Sequence, residues 1–66
     1  MVITLTLEFS IKIGRQPKFL KLLNSALLDA RAFDGCIRVE TLAETDGTTL
    51  FLLEQWETRR QQETYS

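Results

Sequence analysis

Histidine is absent from this chain of 66 residues, and cysteine occurs once, at Cys36. These two facts exclude the zinc sites that need four Cys and His ligands, and they exclude a disulfide within the chain. We therefore expect no metal. A lone thiol is typical of a protein that works in a reducing compartment, which favours a cytoplasmic location.

The sequence also has no long apolar run and no excess of charge of one sign. Neither a stretch of about 18 apolar residues nor a basic segment followed by an apolar one is present, so we expect neither membrane spanning nor export. Eight basic and nine acidic residues give a net charge of -1, which argues against a nucleic-acid partner. Hydrophobic residues make up 44% of the chain, as in a soluble globular protein.

The first half of the chain contains a strand pattern followed by a helix pattern. Apolar and mainly polar residues alternate over positions 2–13, which predicts a strand whose odd-numbered side chains meet a core. Gly14 breaks the alternation, and Pro17 suits the first turn of a helix. A helix to about Phe33 is predicted from an apolar stripe at helical spacing, made of Phe19, Leu22, Leu23, Ala26, Leu27, Ala30 and Phe33.

The second half predicts a hairpin and a further helix. Gly35 ends the first helix, and strands over 36–43 and 49–56 flank Asp46-Gly47, a strong hairpin signal. Thr58 and Gln61 have the spacing of a capping box, so the second helix should begin near Arg59. The order β-α-β-β-α predicts one α+β domain over 1–66, a ferredoxin-like unit with its third strand in the centre and its fourth strand missing.

The missing fourth strand leaves the first strand as an unpaired edge. Edges of this kind recruit other chains. A domain of this length also hides only about 60% of the surface of its unfolded chain, so it is marginal alone. We therefore predict a homodimer or a larger homo-oligomer.

Two motifs carry a resemblance to a known family. Gly35-Cys36 precedes the hairpin, and the run from Leu53 to Thr58, LEQWET, leads from a strand into a helix. In this order and spacing the chain resembles the antibiotic biosynthesis monooxygenase (ABM) family, as a short member or one incomplete at its C-terminus. The resemblance implies a dimeric α+β barrel with a small apolar pocket between sheet and helices. It also implies oxidation of phenols or quinols by O2 without metal or flavin, hence no cofactor.

The departures from the family pattern concern polar groups. Many relatives carry a histidine in the helix after the tryptophan, and by spacing that position is Tyr65 here. The haem-degrading branch has a strand-one asparagine where this chain has Leu7. Both polar groups are missing, which argues against haem degradation.

Four residues form the predicted site. Trp56 and Leu7 are expected to contact a small aromatic substrate, and Glu54 or Tyr65 is expected to act as proton acceptor. A structural interpretation stays open for three of them. Trp56 would be a core residue closing the sheet, and Tyr65 would be exposed. Glu54 would lie on the polar side of the sheet, or it would pair across an interface with Arg38 or with Thr4 and Thr6.

Two functions remain in competition. The first is an ABM-like oxygenase acting on a phenolic or quinol substrate. The second is a non-catalytic dimeric module of the same fold that binds a ligand or supports assembly. Fold and family do not separate them, because function depends on the site.

Overall fold

The computed structural model describes residues 1–66 and contains three strands and two helices. Their bounds are β1, Ile3–Ser10; α1, Gln16–Ala32; β2, Cys36–Ala43; β3, Thr49–Trp56; and α2, Arg59–Tyr65. The sheet is antiparallel in the order β1-β3-β2. The predicted order β-α-β-β-α, the α+β class and the central position of the third strand are confirmed.

The first strand is shorter than predicted. β1 ends at Ser10, which pairs with Thr49 at the start of β3, so no partner remains for residues 12 and 13. A turn follows in which Gly14 has φ +84°. Ile13 is 81% exposed, and the prediction that the odd-numbered face reaches the core is therefore wrong at this position.

The core lies between α1 and the sheet. Leu27 and Ala30 of α1 pack against Val39 of β2 and Leu52 of β3, and Leu23 and Phe9 extend this cluster. Of the three strands, α1 packs mainly on β2. The predicted apolar stripe is consequently buried over a narrower face than expected, and its members on the side away from this contact, such as Leu22 at 63%, stay exposed.

The hairpin between β2 and β3 is held by Asp46. One carboxylate oxygen, Oδ1, accepts the backbone N–H groups of Thr48 and Thr49, each at 2.9 Å, and Oδ2 accepts the Thr49 hydroxyl at 2.8 Å. The hydrogen bond from the Thr48 backbone, followed by those from Thr49, lowers the pKa of the Asp46 carboxyl. Gly47 supplies the positive φ, +78°, that the turn requires.

The start of α2 is tied to the end of α1. The Gln61 backbone N–H donates to Thr58 Oγ1 at 3.2 Å, as a capping box predicts. The Gln61 side chain, however, accepts from the Thr58 hydroxyl and donates to Asp34 Oδ2, so the reciprocal half of the box is replaced by a contact across elements. Glu57 N–H donates to the Gly35 carbonyl at 2.8 Å, which joins the two junctions directly.

Both helices lie on one face of the sheet, and the opposite face is uncovered. Leu42, Phe51 and Leu53 form its apolar centre. Polar groups surround them, including the ion pair between Arg38 and Glu40 at 3.6 Å. We call the group Leu42, Phe51 and Leu53 the open sheet face.

Neither helix has the length and apolar character required to cross a membrane.

Candidate functional site

A buried carboxylate lies at the centre of the sheet. Glu54 shares the helix-facing side of β3 with Leu50, Leu52 and Trp56, and it is 7% exposed. Trp56 Nε1 donates to Glu54 Oε1 at 2.9 Å. Residues two positions apart on a strand point to the same face of the sheet, and this spacing brings the carboxylate of Glu54 and the indole of Trp56 together.

The alternative placements of Glu54 are not observed. Thr4 and Thr6 occupy the opposite face of the sheet, and Thr4 accepts from Gln55 there. Arg38 pairs with Glu40 on that same face. Glu54 therefore has no cation close enough for an ion pair, and the Trp56 N–H is its polar partner.

Two aromatic rings, Phe33 and Tyr65, pack against the indole of Trp56 and against each other. The centroid of Trp56 lies 5.4 Å from that of Tyr65 and 6.1 Å from that of Phe33, and Phe33 and Tyr65 are 5.3 Å apart. Trp56 is 0% exposed. Its ring is thus covered on the inside of the sheet, which is the placement of a core residue closing the sheet.

Tyr65 is partly buried by these contacts, so its predicted exposure near the chain end is wrong. Phe33 is a member of this cluster that the sequence assigned only to the stripe of α1. Its position directly before Asp34-Gly35, next to the turn that meets the LEQWET run, is the signal that would have indicated it.

The second oxygen of Glu54 remains available. Oε1 is engaged by Trp56, and Oε2 makes no hydrogen bond within the chain. Because no buried side-chain nitrogen or oxygen lacks a partner, Oε2 keeps contact with solvent. The carboxylate is therefore oriented by one hydrogen bond, and its other oxygen is free of hydrogen bonds within the chain.

An apolar strip leads to this carboxylate along β1. Leu5 pairs directly with Glu54, and Leu7 pairs with Leu52 on the same face. Since α1 packs mainly on β2, this side of β1 is incompletely covered, and Leu7 is 47% exposed. Of the four predicted site residues, Glu54, Trp56 and Tyr65 form one cluster, while Leu7 lies beside it on the strip.

Cys36 lies opposite Trp56 at the start of β2 and is a free thiol. Burial, followed by the negative charge of Glu54, raises the pKa of the Cys36 thiol, and Arg31 opposes this in part. A thiol held in its protonated form is a poor nucleophile. Cys36 is therefore better described as a packing residue.

Other parts of the surface offer little chemistry. No three His, Cys, Asp or Glu side chains lie close enough together to hold a metal ion. The largest groove, about 940 Å³, runs between α1 and β2 and is lined mainly by polar side chains, including Asn24, Arg31 and Thr41. Glu54 does not line it.

Comparisons with known proteins identify the family of this chain and a solved structure with a similar fold. The family model described as "Antibiotic biosynthesis monooxygenase" matches residues 2–66. The solved structure of Rv0793 from Mycobacterium tuberculosis is similar with a TM-score of 0.82 and 22% sequence identity, over 96% of this chain and 64% of that one. This likeness supports the fold, and the chain spans 64% of the length of Rv0793. No curated protein matches the sequence.

Proposed function

Because this chain belongs to the antibiotic biosynthesis monooxygenase family, we propose that it oxidises a phenolic or quinol small molecule with O2, using neither metal nor flavin. One observation supports the proposal above the others. A buried carboxylate, Glu54, is oriented by Trp56 and has a second oxygen without a hydrogen bond, beside an apolar strip that is incompletely covered.

In this proposal Glu54 is the proton acceptor. The aromatic substrate lies on Leu5 and Leu7, with one phenolic hydroxyl at Glu54 Oε2. Proton transfer to Oε2 gives a phenolate, which is far easier to oxidise than the phenol. Tyr65 contacts the indole rather than the carboxylate, so we assign it a positioning role through Trp56.

The reaction balances without a further reductant. A quinol and O2 give a hydroxyquinone and water: a ring C–H bond and the O–O bond break, and a ring C–O bond forms. One oxygen atom stays on the ring, and the other leaves as water with two hydrogen atoms from the quinol. The ring loses the four electrons that O2 gains, and the protein contributes deprotonation and positioning.

The experiment is oxygen uptake with 1,4-naphthohydroquinone, corrected for autoxidation without protein. We expect uptake above that background, and we expect Glu54→Gln to lose it by about 100-fold, since general bases contribute at this scale. Glutamine keeps an acceptor for Trp56 Nε1, so the core is retained. Glu57→Gln removes an exposed carboxylate three residues along and should leave the rate unchanged. Uptake at the background rate, or equal losses in both variants, would reject the proposal.

A second candidate is ligand binding without chemistry. It is favoured by the sequence, which contains no histidine, the side chain best suited to acid–base chemistry near neutral pH. Calorimetry of the same quinol under anaerobic conditions separates the two candidates. Binding without any aerobic oxygen uptake supports the binding module, whereas binding with Glu54-dependent uptake supports the oxygenase.

We further propose that two copies join through the open sheet face. Members of this family are commonly dimeric. Leu42, Phe51 and Leu53 form an apolar surface that no element of this chain covers, and burying it would supply interior that a domain of this size lacks. A larger homo-oligomer would use the free edge of β1 in addition. The unpaired Cys36 thiol supports a cytoplasmic location.

A further inference from the structure

A second cleft lies where β1 ends and α1 begins. It measures about 360 Å³. Its floor is apolar, with Ile11, Phe19 and Leu22, and three cations stand around it: Lys12, Arg15 and Lys18. We call it the cationic cleft.

The positive charge of the cationic cleft is not neutralised by neighbouring side chains. Residues 9–28 contain no Asp or Glu, and half of the chain's eight Lys and Arg residues lie there. In the β2–β3 hairpin, Asp46 is engaged by Thr48 and Thr49 rather than by a cation of the cleft. The single ion pair of the protein, Arg38 with Glu40, lies elsewhere.

Hydrogen bonds to the backbone of β3 and its preceding turn hold the cleft in shape on both sides. Ile11 N–H donates to the Thr48 carbonyl at 2.7 Å, and Gln16 Nε2 donates to the Thr49 carbonyl at 2.9 Å. Between them, Arg15 N–H donates to the Lys12 carbonyl at 3.0 Å. The backbone that carries these cations is thus fixed before a ligand arrives, which reduces the entropy lost on binding.

An aromatic contact joins the lining of the cationic cleft to the apolar strip on β1. Phe19 in the floor of the cleft contacts Phe9, with ring centroids 5.4 Å apart. Phe9, Leu7 and Leu5 follow one another on the helix-facing side of β1, and Leu5 pairs with Glu54. At about 3.3 Å per residue, Leu5 is roughly 13 Å from Phe9 along the strand.

We propose that the substrate is a planar aromatic acid, in which a carboxylate at one end is held by Lys12, Arg15 and Lys18. Its rings lie along Phe9, Leu7 and Leu5, and the phenolic end reaches Glu54. A neutral quinol would leave the three cations without a partner. This inference rests on the proposed function for the reaction at Glu54, but the anion preference is measured by binding alone.

The test compares two fluorescent probes of the same shape, anthracene-2-carboxylate and anthracene-2-carboxamide, by fluorescence anisotropy. We expect the carboxylate to bind at least tenfold more tightly. The triple variant Lys12→Gln, Arg15→Gln, Lys18→Gln should reduce this preference to less than twofold. The control variant Arg38→Gln, Arg59→Gln, Arg60→Gln removes the same charge outside the cleft and should keep the preference.

A second measurement does not depend on any variant. Raising the salt concentration from about 20 mM to about 500 mM should weaken binding of the carboxylate and leave binding of the carboxamide unchanged, because salt screens exposed charges. Equal affinities for the two probes, or equal loss of the preference in both triple variants, would overturn the inference.

The outcomes separate this inference from the proposed function. Glu54→Gln should leave the preference for the carboxylate intact, since Glu54 does not line the cationic cleft. A preference without quinol oxidation would reject the oxygenase and retain the anion site. Oxidation without a preference would retain the oxygenase and reject the anion site.

Discussion

A single hydrogen bond, from Trp56 Nε1 to Glu54 Oε1, holds the one acidic side chain that is buried in this protein. Removing a carboxylate from water costs free energy unless donors replace the lost hydration. The indole N–H supplies one such donor, and the free Oε2 keeps contact with solvent. Removing the indole N–H alone should therefore lower the free energy of unfolding more than removing the indole N–H and the carboxylate together.

Replacing Trp56 with phenylalanine tests this residue pair. Trp56→Phe should lower the free energy of unfolding by about 3 kcal/mol, through the lost donor and the smaller ring. In a Glu54→Leu background the same change should cost about 1–2 kcal/mol less, because no carboxylate is left unpaired.

The measurement is urea unfolding followed by circular dichroism at one protein concentration, since association would shift the midpoint. Additive losses in the double variant would contradict the coupling between the two side chains.

At the residue scale, the sequence predicts which face of a strand a side chain lies on better than it predicts which side chains contact one another. A period of two puts Glu54 and Trp56 on one face, but it carries no information on side-chain torsions, and so the hydrogen bond between them was not foreseen. Tyr65 was expected to be exposed, because local sequence does not show that α2 places it against Trp56 and Phe33.

At the scale of elements, the turn before β2 and the start of α2 form one unit. Gly35 has φ +91°, and a Cβ atom added there would overlap the Gln61 side chain. Gly14 has a similar φ, +84°, with nothing within 4 Å of such an atom. The two glycines therefore share a backbone requirement and differ in their surroundings.

Alanine at each glycine separates these effects. Gly14→Ala should lower the free energy of unfolding by about 1 kcal/mol, the cost of a left-handed residue with a side chain. Gly35→Ala should lower it by about 2 kcal/mol or more, because the Gln61 side chain must also be displaced. Equal losses in the two variants, measured by urea unfolding, would show that the contact with Gln61 is unimportant.

The hairpin gives this protein a pH-dependent element. The hydrogen bonds to Asp46 lower its folded pKa below the ordinary value of 3.8. The carboxylate therefore contributes stability above that value, and this contribution is lost as the pH falls through the lower folded pKa.

Asp46→Asn should reduce the unfolding free energy at pH 7 and flatten its decline at acid pH. Acid titration of the urea midpoint measures both effects. Glu44→Gln, in the same hairpin but without such hydrogen bonds, is the control, and an identical acid limb in all three proteins would contradict the assignment to Asp46.

The elements themselves were largely predictable, apart from the length of β1. Its alternation continues to Ile13, but the strand stops where β3 no longer offers a partner. Strand length is a property of a pair, and the sequence of one strand does not contain it. The helix stripe was too wide for the same reason, since the surface that α1 meets is set by β2 and β3.

At the scale of the whole molecule, the open sheet face is an apolar surface that no element of the chain covers, and we propose that a second copy covers it. Phe51→Lys would place a charge at its centre. We expect this variant to dissociate at least tenfold more readily than the unmodified chain, because a charge in an apolar interface loses its hydration.

Sedimentation over a range of micromolar concentrations measures the effect. Leu28→Lys is the matched control, since Leu28 is also apolar and exposed but lies on α1. A folded monomer of the unmodified chain across that range would contradict the assembly.

The sequence predicted an association from the missing strand and the small size of the domain. It indicated the unpaired edge of β1 and did not single out the open sheet face, because β3 is apolar at successive positions and its sequence does not show which side the helices cover. The site was only half predictable for a related reason: the strip along β1 exists because the helical layer leaves it uncovered.

Trp56 is the only tryptophan of the chain and is fully enclosed by Phe33, Tyr65 and the sheet. Its emission should therefore be blue-shifted in the native protein, with Tyr65 close enough to pass excitation to it. Any opening of the aromatic cluster would expose the indole to water and shift its emission to longer wavelength. The residue that holds the carboxylate is thus also a built-in optical reporter of whether the carboxylate is still held.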